Sequence, residues 1–163
     1  IDGLINKYSW TEMGGSFYPT EIQAAFLYSQ LQKNSTNIKV RQKLYKIYSS
    51  QLNALKQKNK FYFMEKDKNL VTNFHAFILI FNRKRTCDNL KKNLKQNYID
   101  AFTGYTPLHS SKIGKQLGNK VSDLPITEEI SKKILRLPLH TNLKKQDVEK
   151  ICKIINLYFE NKK

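Results

Sequence analysis

A chain of 163 residues is long enough for one domain with a buried core, and its formal charge of +16 makes nucleic acid the first partner to weigh. Only Arg41, Arg83, Arg85 and Arg136 are arginine, however, and the other cations are lysines scattered among Asn, Ile and Tyr over the whole length. Arginine is the residue that reads phosphates and base edges with two aligned bonds, so this distribution describes solvated faces and counts against a nucleic-acid role. No apolar run is long enough to cross a bilayer; the longest, Phe74 to Phe81, is strand-sized.

In chain order, the first feature is the stretch Tyr8 to Gln32, where a Gly14-Gly15-Ser16 turn feeds a helix. Thr20 is its N-cap and Glu21 faces the positive end of its dipole. Free backbone N–H groups at such a junction form a candidate anion site. Ile22, Ala25 and Phe26 lie beside Ala24, Leu27, Tyr28 and Leu31 on two adjacent faces, which predicts a largely buried helix. Lys33-Asn34-Ser35 interrupts it. A second helix is predicted from about Thr36 to Lys58, with Val40, Leu44, Ile47, Tyr48, Leu52 and Leu55 on its inner face and Lys and Gln outside.

A polar connection around Phe61 to Met64 leads to a predicted strand over Val71 to Phe81. Thr86 caps a short helix reaching about Asn97, and Tyr98 to Tyr105 reads as a second strand ended by Thr106-Pro107. Thr127, followed by Glu128 and Glu129, caps a further helix that Pro138 ends. The last helix, about Lys144 to Glu160, carries Val148, Ile151, Cys152, Ile155, Tyr158 and Phe159 on one stripe. These elements predict an α+β fold with a small, mainly antiparallel sheet covered by helices. An N-terminus that enters in mid-element predicts the later part of a longer protein.

Cys87 and Cys152 form neither a CxxC pair nor a disulfide framework, and Ile1-Asp2-Gly3-Leu4 has no basic n-region of a signal peptide. A reduced, cytoplasmic setting is the expectation. Three dispersed His residues have no metal-ligand spacing, so no metal is expected. No Ser-His-Asp arrangement can be argued and no phosphate-binding glycine loop of the nucleotide triphosphatase type is present. His75, on an apolar strand, reads as a core histidine, and Arg136 as one half of a structural ion pair, with pairing to a carboxylate or phosphate ligand as the alternative.

Four segments share one resemblance. Lys7-Tyr8-Ser9-Trp10 through Gly14-Gly15-Ser16-Phe17-Tyr18-Pro19-Thr20-Glu21-Ile22-Gln23-Ala24-Ala25 is similar to the start of the C-terminal portion of the DegT/DnrJ/EryC1/StrS sugar aminotransferases. Asn73-Phe74-His75-Ala76-Phe77, Tyr105-Thr106-Pro107-Leu108-His109-Ser110-Ser111 and Ile134-Leu135-Arg136-Leu137-Pro138-Leu139 resemble later segments of that family, in the same order. The resemblance implies the C-terminal small domain of a type I aminotransferase. Residues 1–58 are then an interface loop with long interface helices, and residues 59–163 the α+β domain.

It further implies transfer of an amino group from glutamate to C4 of a dTDP-4-keto-6-deoxy sugar, with pyridoxal 5'-phosphate as cofactor, in a homodimer whose active sites are shared. That cofactor needs a Schiff-base Lys, a carboxylate on its ring nitrogen, a stacking group and a phosphate cradle. No lysine here sits in the motif that carries the Schiff base, so the resemblance puts that Lys upstream of residue 1 and leaves this chain inactive alone. Ser16 occupies a position where relatives use Asn to reach the cofactor phosphate of the neighbouring subunit, and Gly15 beside it allows close backbone approach. Tyr105 lies where relatives place a Tyr near the nucleotide sugar, preceded by Gly104 where many have His. His109 is a second candidate for substrate contact. The competing reading is a non-catalytic basic module that binds nucleic acid or acidic partners, which a salt titration separates.

Overall fold

The computed structural model describes residues 14–15, 17–63 and 72–161. Its elements are α1 (Glu21–Gln32), α2 (Asn34–Gln57), β1 (Phe77–Ile80), α3 (Lys84–Gln96), β2 (Phe102–Thr103), α4 (Lys112–Gln116), α5 (Pro125–Ser131), β3 (Ile134–Leu137) and α6 (Lys145–Glu160). The three strands form one antiparallel sheet in the order β1-β3-β2. The expected α+β fold with a small antiparallel sheet is what the chain adopts.

The periodic apolar stripes of the two long helices build the core. α2 buries Leu44, Tyr48, Leu52 and Leu55, and α6 buries Val148, Ile151, Cys152, Ile155 and Phe159. The two helices pack on each other and on one face of the sheet. That face is fixed by register: Phe77 pairs with Leu137 and Leu79 with Leu135, and all four side chains are buried. Tyr48 stacks on Phe77 with ring centroids 4.8 Å apart, and its hydroxyl donates to the Pro138 carbonyl at 2.9 Å. Burial drives the Tyr48 hydroxyl far above its ordinary pKa. Phe61, Phe81 and Phe159 close the other end of the core, with centroids 5.8 Å apart from Phe61 to each neighbour. Full burial of a side chain such as Leu52 or Ile155 contributes about 1.5–3 kcal/mol.

Several elements depart from expectation for local reasons. β1 starts at Phe77, six residues later than predicted. Before it, the Thr72 hydroxyl accepts from the Phe74 N–H and the Asn73 side chain accepts from the His75 N–H, while Phe74 takes φ 49. Side chains competing for backbone N–H groups make a turn rather than a ladder. The predicted strand over Tyr98 to Tyr105 shrinks to Phe102–Thr103, because Tyr98 ends α3 in the left-handed conformation, at φ 61. Neither expected threonine cap is one: α3 opens at Lys84 after an extended Arg83, and α5 opens on Pro125, so Thr86 and Thr127 lie inside. The helix expected to run to Pro138 stops at Ser131, and residues 134–137 form β3, the middle strand of the sheet.

The largest departure is α1. Its cap is as expected: the Thr20 hydroxyl accepts from the Gln23 N–H at 3.3 Å and the Gln23 side chain accepts from the Thr20 N–H at 2.9 Å. None of its residues is buried, however, and Ile22, Phe26, Leu27, Tyr28 and Leu31 are all more than half exposed. Apolarity on two faces predicts a covered helix, and the cover is not supplied by the described residues.

Candidate ligand-binding cleft

The face of the sheet turned away from the core is the less buried one. Ile78 and Phe102 pair with Arg136 on either side of β3, so these three side chains share the face opposite the core. Beside this face lies a cleft of about 670 Å³, walled by His75 and Ala76 before β1, the segment Asn97 to Asp100, Tyr105, the β3 exit Arg136 to His140, and the α6 side chains Asp147, Lys150 and Ile151. Its size is that of a small-molecule site.

Arg136 is the central charged group of the wall. Its Nη2 donates to the Thr103 carbonyl at 3.2 Å, and its guanidinium lies 4.5 Å from the Tyr105 ring centroid, within cation–π range. Its Nε is buried and finds no acceptor among the described residues. Among the described residues Arg136 makes this backbone bond and aromatic stack rather than an ion pair. His75 is not a core histidine either: the turn ahead of β1 leaves it exposed on the cleft wall.

Gly104 has a reason to lack a side chain. A Cβ there would stand 2.9 Å from the Ser131 carbonyl oxygen at the end of α5, so the space a side chain would take is occupied by approaching backbone.

Of the residues singled out by resemblance, Tyr105 lines the cleft and His109 does not. His109 is buried in the turn between β2 and α4, its Nε2 3.4 Å from Oε1 of Glu128 on α5 without the alignment of a hydrogen bond. A hydrogen bond from Ser110, with Lys132 and His109 nearby, holds the Glu128 carboxyl below its ordinary range against the opposing pull of burial. Next to it the Ser111 hydroxyl caps α4 by accepting from the Gly114 N–H and donates to the Leu108 carbonyl, so the turn is fixed from both sides. Gly15 is exposed and does not line the cleft, and Ser16, Tyr8 and Trp10 lie outside the described residues.

Neither cysteine is a nucleophile. Burial, with Asp88 adding to it, pushes the Cys87 thiol up to about 11, and burial with Glu149 pushes Cys152 up to about 12. Among the described residues no group of His, Cys, Asp and Glu gathers as a metal site, and no helix is long and apolar enough to cross a membrane.

An α+β domain of this topology is a recurrent part of sugar aminotransferases of known structure. The Helicobacter pylori aminotransferase PseC, involved in pseudoaminic acid biosynthesis, superposes with a TM-score of 0.74 at 26% identity, over 93% of this chain and 40% of that one. A Streptococcus pneumoniae protein described as a sugar aminotransferase, in its PLP form, superposes with a TM-score of 0.75 at 20% identity, over 87% of this chain and 36% of that one. GDP-perosamine synthase of Escherichia coli O157:H7 is 24% identical over 162 residues, covering 97% of this chain. The profile of the DegT/DnrJ/EryC1/StrS aminotransferase family matches residues 3–156, and the chain belongs to that family. It spans 42% of the length of the GDP-perosamine synthase.

Pyridoxal phosphate is the cofactor of this family, and the described residues do not by themselves make up its site. Asp147 accepts from the Lys144 N–H, Lys150 is exposed, and of the N–H groups opening α1 those of Gln23 and Ala24 are engaged by Thr20.

Proposed function

We propose that this chain is the C-terminal part of a pyridoxal-phosphate-dependent nucleotide-sugar aminotransferase. The single observation that carries this reading is the family match over residues 3–156. The amino group passes from glutamate to C4 of a dTDP-4-keto-6-deoxy sugar, the reaction of dTDP-4-amino-4,6-dideoxygalactose transaminase, in the cytoplasmic assembly of a bacterial surface polysaccharide. The cofactor supplies the electron sink for amino transfer, and its Schiff-base Lys comes from the cofactor domain that precedes residue 1.

Within the complete protein, residues 1–58 provide the interface loop and helices and residues 59–163 the small domain. The exposed apolar faces of α1 support a homodimer in which that helix is covered. Ser16 and Gly15 approach the cofactor phosphate of the neighbouring subunit. Tyr105 contacts the nucleotide sugar from the cleft wall, with Arg136 stacked behind it. His109 acts at one remove: its packing against Glu128 holds the turn that follows Tyr105.

The test is assay of the complete protein with pyridoxal phosphate, glutamate and dTDP-4-keto-6-deoxyglucose, following loss of the keto sugar. A GDP-linked keto sugar is run beside it, since one relative is a GDP-perosamine synthase. Turnover of the dTDP substrate is expected. Turnover of the GDP substrate alone would transfer the assignment to the guanine nucleotide, and no amino transfer to either would sink the reading.

A further inference from the structure

Tyr105 sits on a short segment that α5 holds at both ends. At the near end, the backbone of Gly104 lies so close to the Ser131 carbonyl, where α5 stops, that no Cβ fits between them. At the far end, the His109 Nε2 faces Oε1 of Glu128, in the middle of the same helix, at 3.4 Å. Ser110, the next residue, adds a hydrogen bond to the Glu128 carboxyl. Two residues separate α5 from β3, which carries Arg136, and the Arg136 guanidinium lies against the Tyr105 ring. Both members of that stack are therefore referenced to α5, Arg136 through the chain and Tyr105 through the two contacts.

Burial singles out the far contact. Among the described residues His109 and Ser111 are the buried polar side chains, and both belong to this turn. His109 Nε2 and Glu128 Oε1 each lack a hydrogen bond among the described residues, yet they face one another. An imidazole N–H turned onto that oxygen satisfies both atoms, and buried polar atoms are costly until they are paired. The other carboxylate oxygen, Oε2, faces Lys132 at 3.5 Å, whose side chain is 58% exposed. Glu128 thus has an inner side on the turn and an outer side on a solvated lysine. Behind the turn α4 closes the packing: a Cβ on Gly114 would overlap the Leu108 carbonyl oxygen, to which the Ser111 hydroxyl donates. A turn packed this tightly passes a displacement at His109 along the chain instead of absorbing it.

We propose that Glu128 is a positioning residue whose carboxylate, through His109 and Ser110, holds Tyr105 against Arg136 in the pose that meets substrate. Glu128 does not line the cleft, so it acts only through the turn. The inference rests on the aminotransferase reading and deepens it, because it names the group that sets the Tyr105 pose. A displaced Tyr105 ring loses a contact made in the ground state and the transition state alike, so KM rises and kcat holds.

The test uses the complete protein carrying ring-fluorinated tyrosine, with the Tyr105 and Tyr28 signals assigned by Tyr105→Phe and Tyr28→Phe. Glu128→Ala should shift the Tyr105 signal and leave Tyr28, on α1, in place. It should raise KM for the keto sugar that the protein turns over about tenfold, with kcat held within about twofold. Glu128→Gln keeps the length and an acceptor oxygen for Ser110, so it should recover part of that loss. His109→Gln should reproduce the Glu128→Ala effect, and the double variant should be no worse than either single one, because the two side chains form one contact. Lys132→Ala removes only the solvated partner and should leave the Tyr105 signal and KM at their parental values. A Glu128→Ala protein with parental KM, or losses that simply add in the double variant, would overturn the inference and leave the aminotransferase reading intact. Equal shifts at Tyr28 and Tyr105 also overturn it, since the carboxylate then supports the fold at large. A Tyr105 shift without one at Tyr28, in a protein whose parent aminates no keto sugar, sinks the aminotransferase reading and supports the placement of Tyr105 by Glu128.

Discussion

Gly104 shows how one missing Cβ fixes what the site can hold. Its neighbour is the Ser131 carbonyl, backbone that cannot rotate away as a side chain can, so a histidine at this position forces the chain after β2 and the end of α5 apart. Gly104→His should destabilise the fold by about 1–3 kcal/mol, the usual range for forcing atoms into a packed site, read as a lower urea midpoint. Glu128 offers a second residue-scale test. Its carboxyl is held below its ordinary value of 4.5 by Ser110, Lys132 and His109, so the ionised form is favoured by folding. The stabilisation is complete above the unfolded value and is lost as pH falls through the lower folded one. Urea midpoints should therefore drop below about pH 4.5, near the ordinary glutamate value, and Glu128→Gln should flatten part of that drop. An unchanged acid limb in the variant would show that other carboxylates set it.

At the level of elements, the strength of each periodic signal decided what was legible. α2 and α6 were readable almost to their ends because five or more apolar side chains recur at three-to-four spacing in each. β3 was not. Its four residues follow a Pro- and Glu-led helix without a glycine between, and Pro138 terminates a helix or a strand equally well. The usable signal was the alternation of buried Leu135 and Leu137 with half-buried Ile134 and Arg136. Tyr105 was reachable from its motif, whereas Lys150, Tyr98 and the exposed His75 join the cleft only through tertiary packing. Because β3 is the middle strand, Leu135→Ala should cost about 2–5 kcal/mol, typical of a buried leucine truncation. Leu117→Ala, on an exposed side chain after α4, should cost under about 0.5 kcal/mol by comparison. Equal losses from the two in chemical denaturation would refute the placement of β3 at the centre.

For the whole molecule, α1 turns a packing fact into a prediction about assembly. Phe26, Leu27, Tyr28 and Leu31 expose 56–67% of their surface within about two turns of one well-capped helix, an apolar area of the kind that marks an interface. Charge works the other way: a net +16 on 163 residues opposes close approach of two copies, and more strongly at low salt. Self-association of the isolated chain should accordingly rise with ionic strength, whereas contacts made by ion pairs would weaken. Sedimentation of the chain at 50 and 500 mM salt distinguishes the two, with a larger species expected at the higher concentration. Phe26→Glu with Leu31→Glu should abolish the salt-induced species and leave the urea midpoint unchanged, because neither side chain belongs to the core. A double variant that still associates would move the sticky surface elsewhere, and one that unfolds would show that α1 contributes to the core after all.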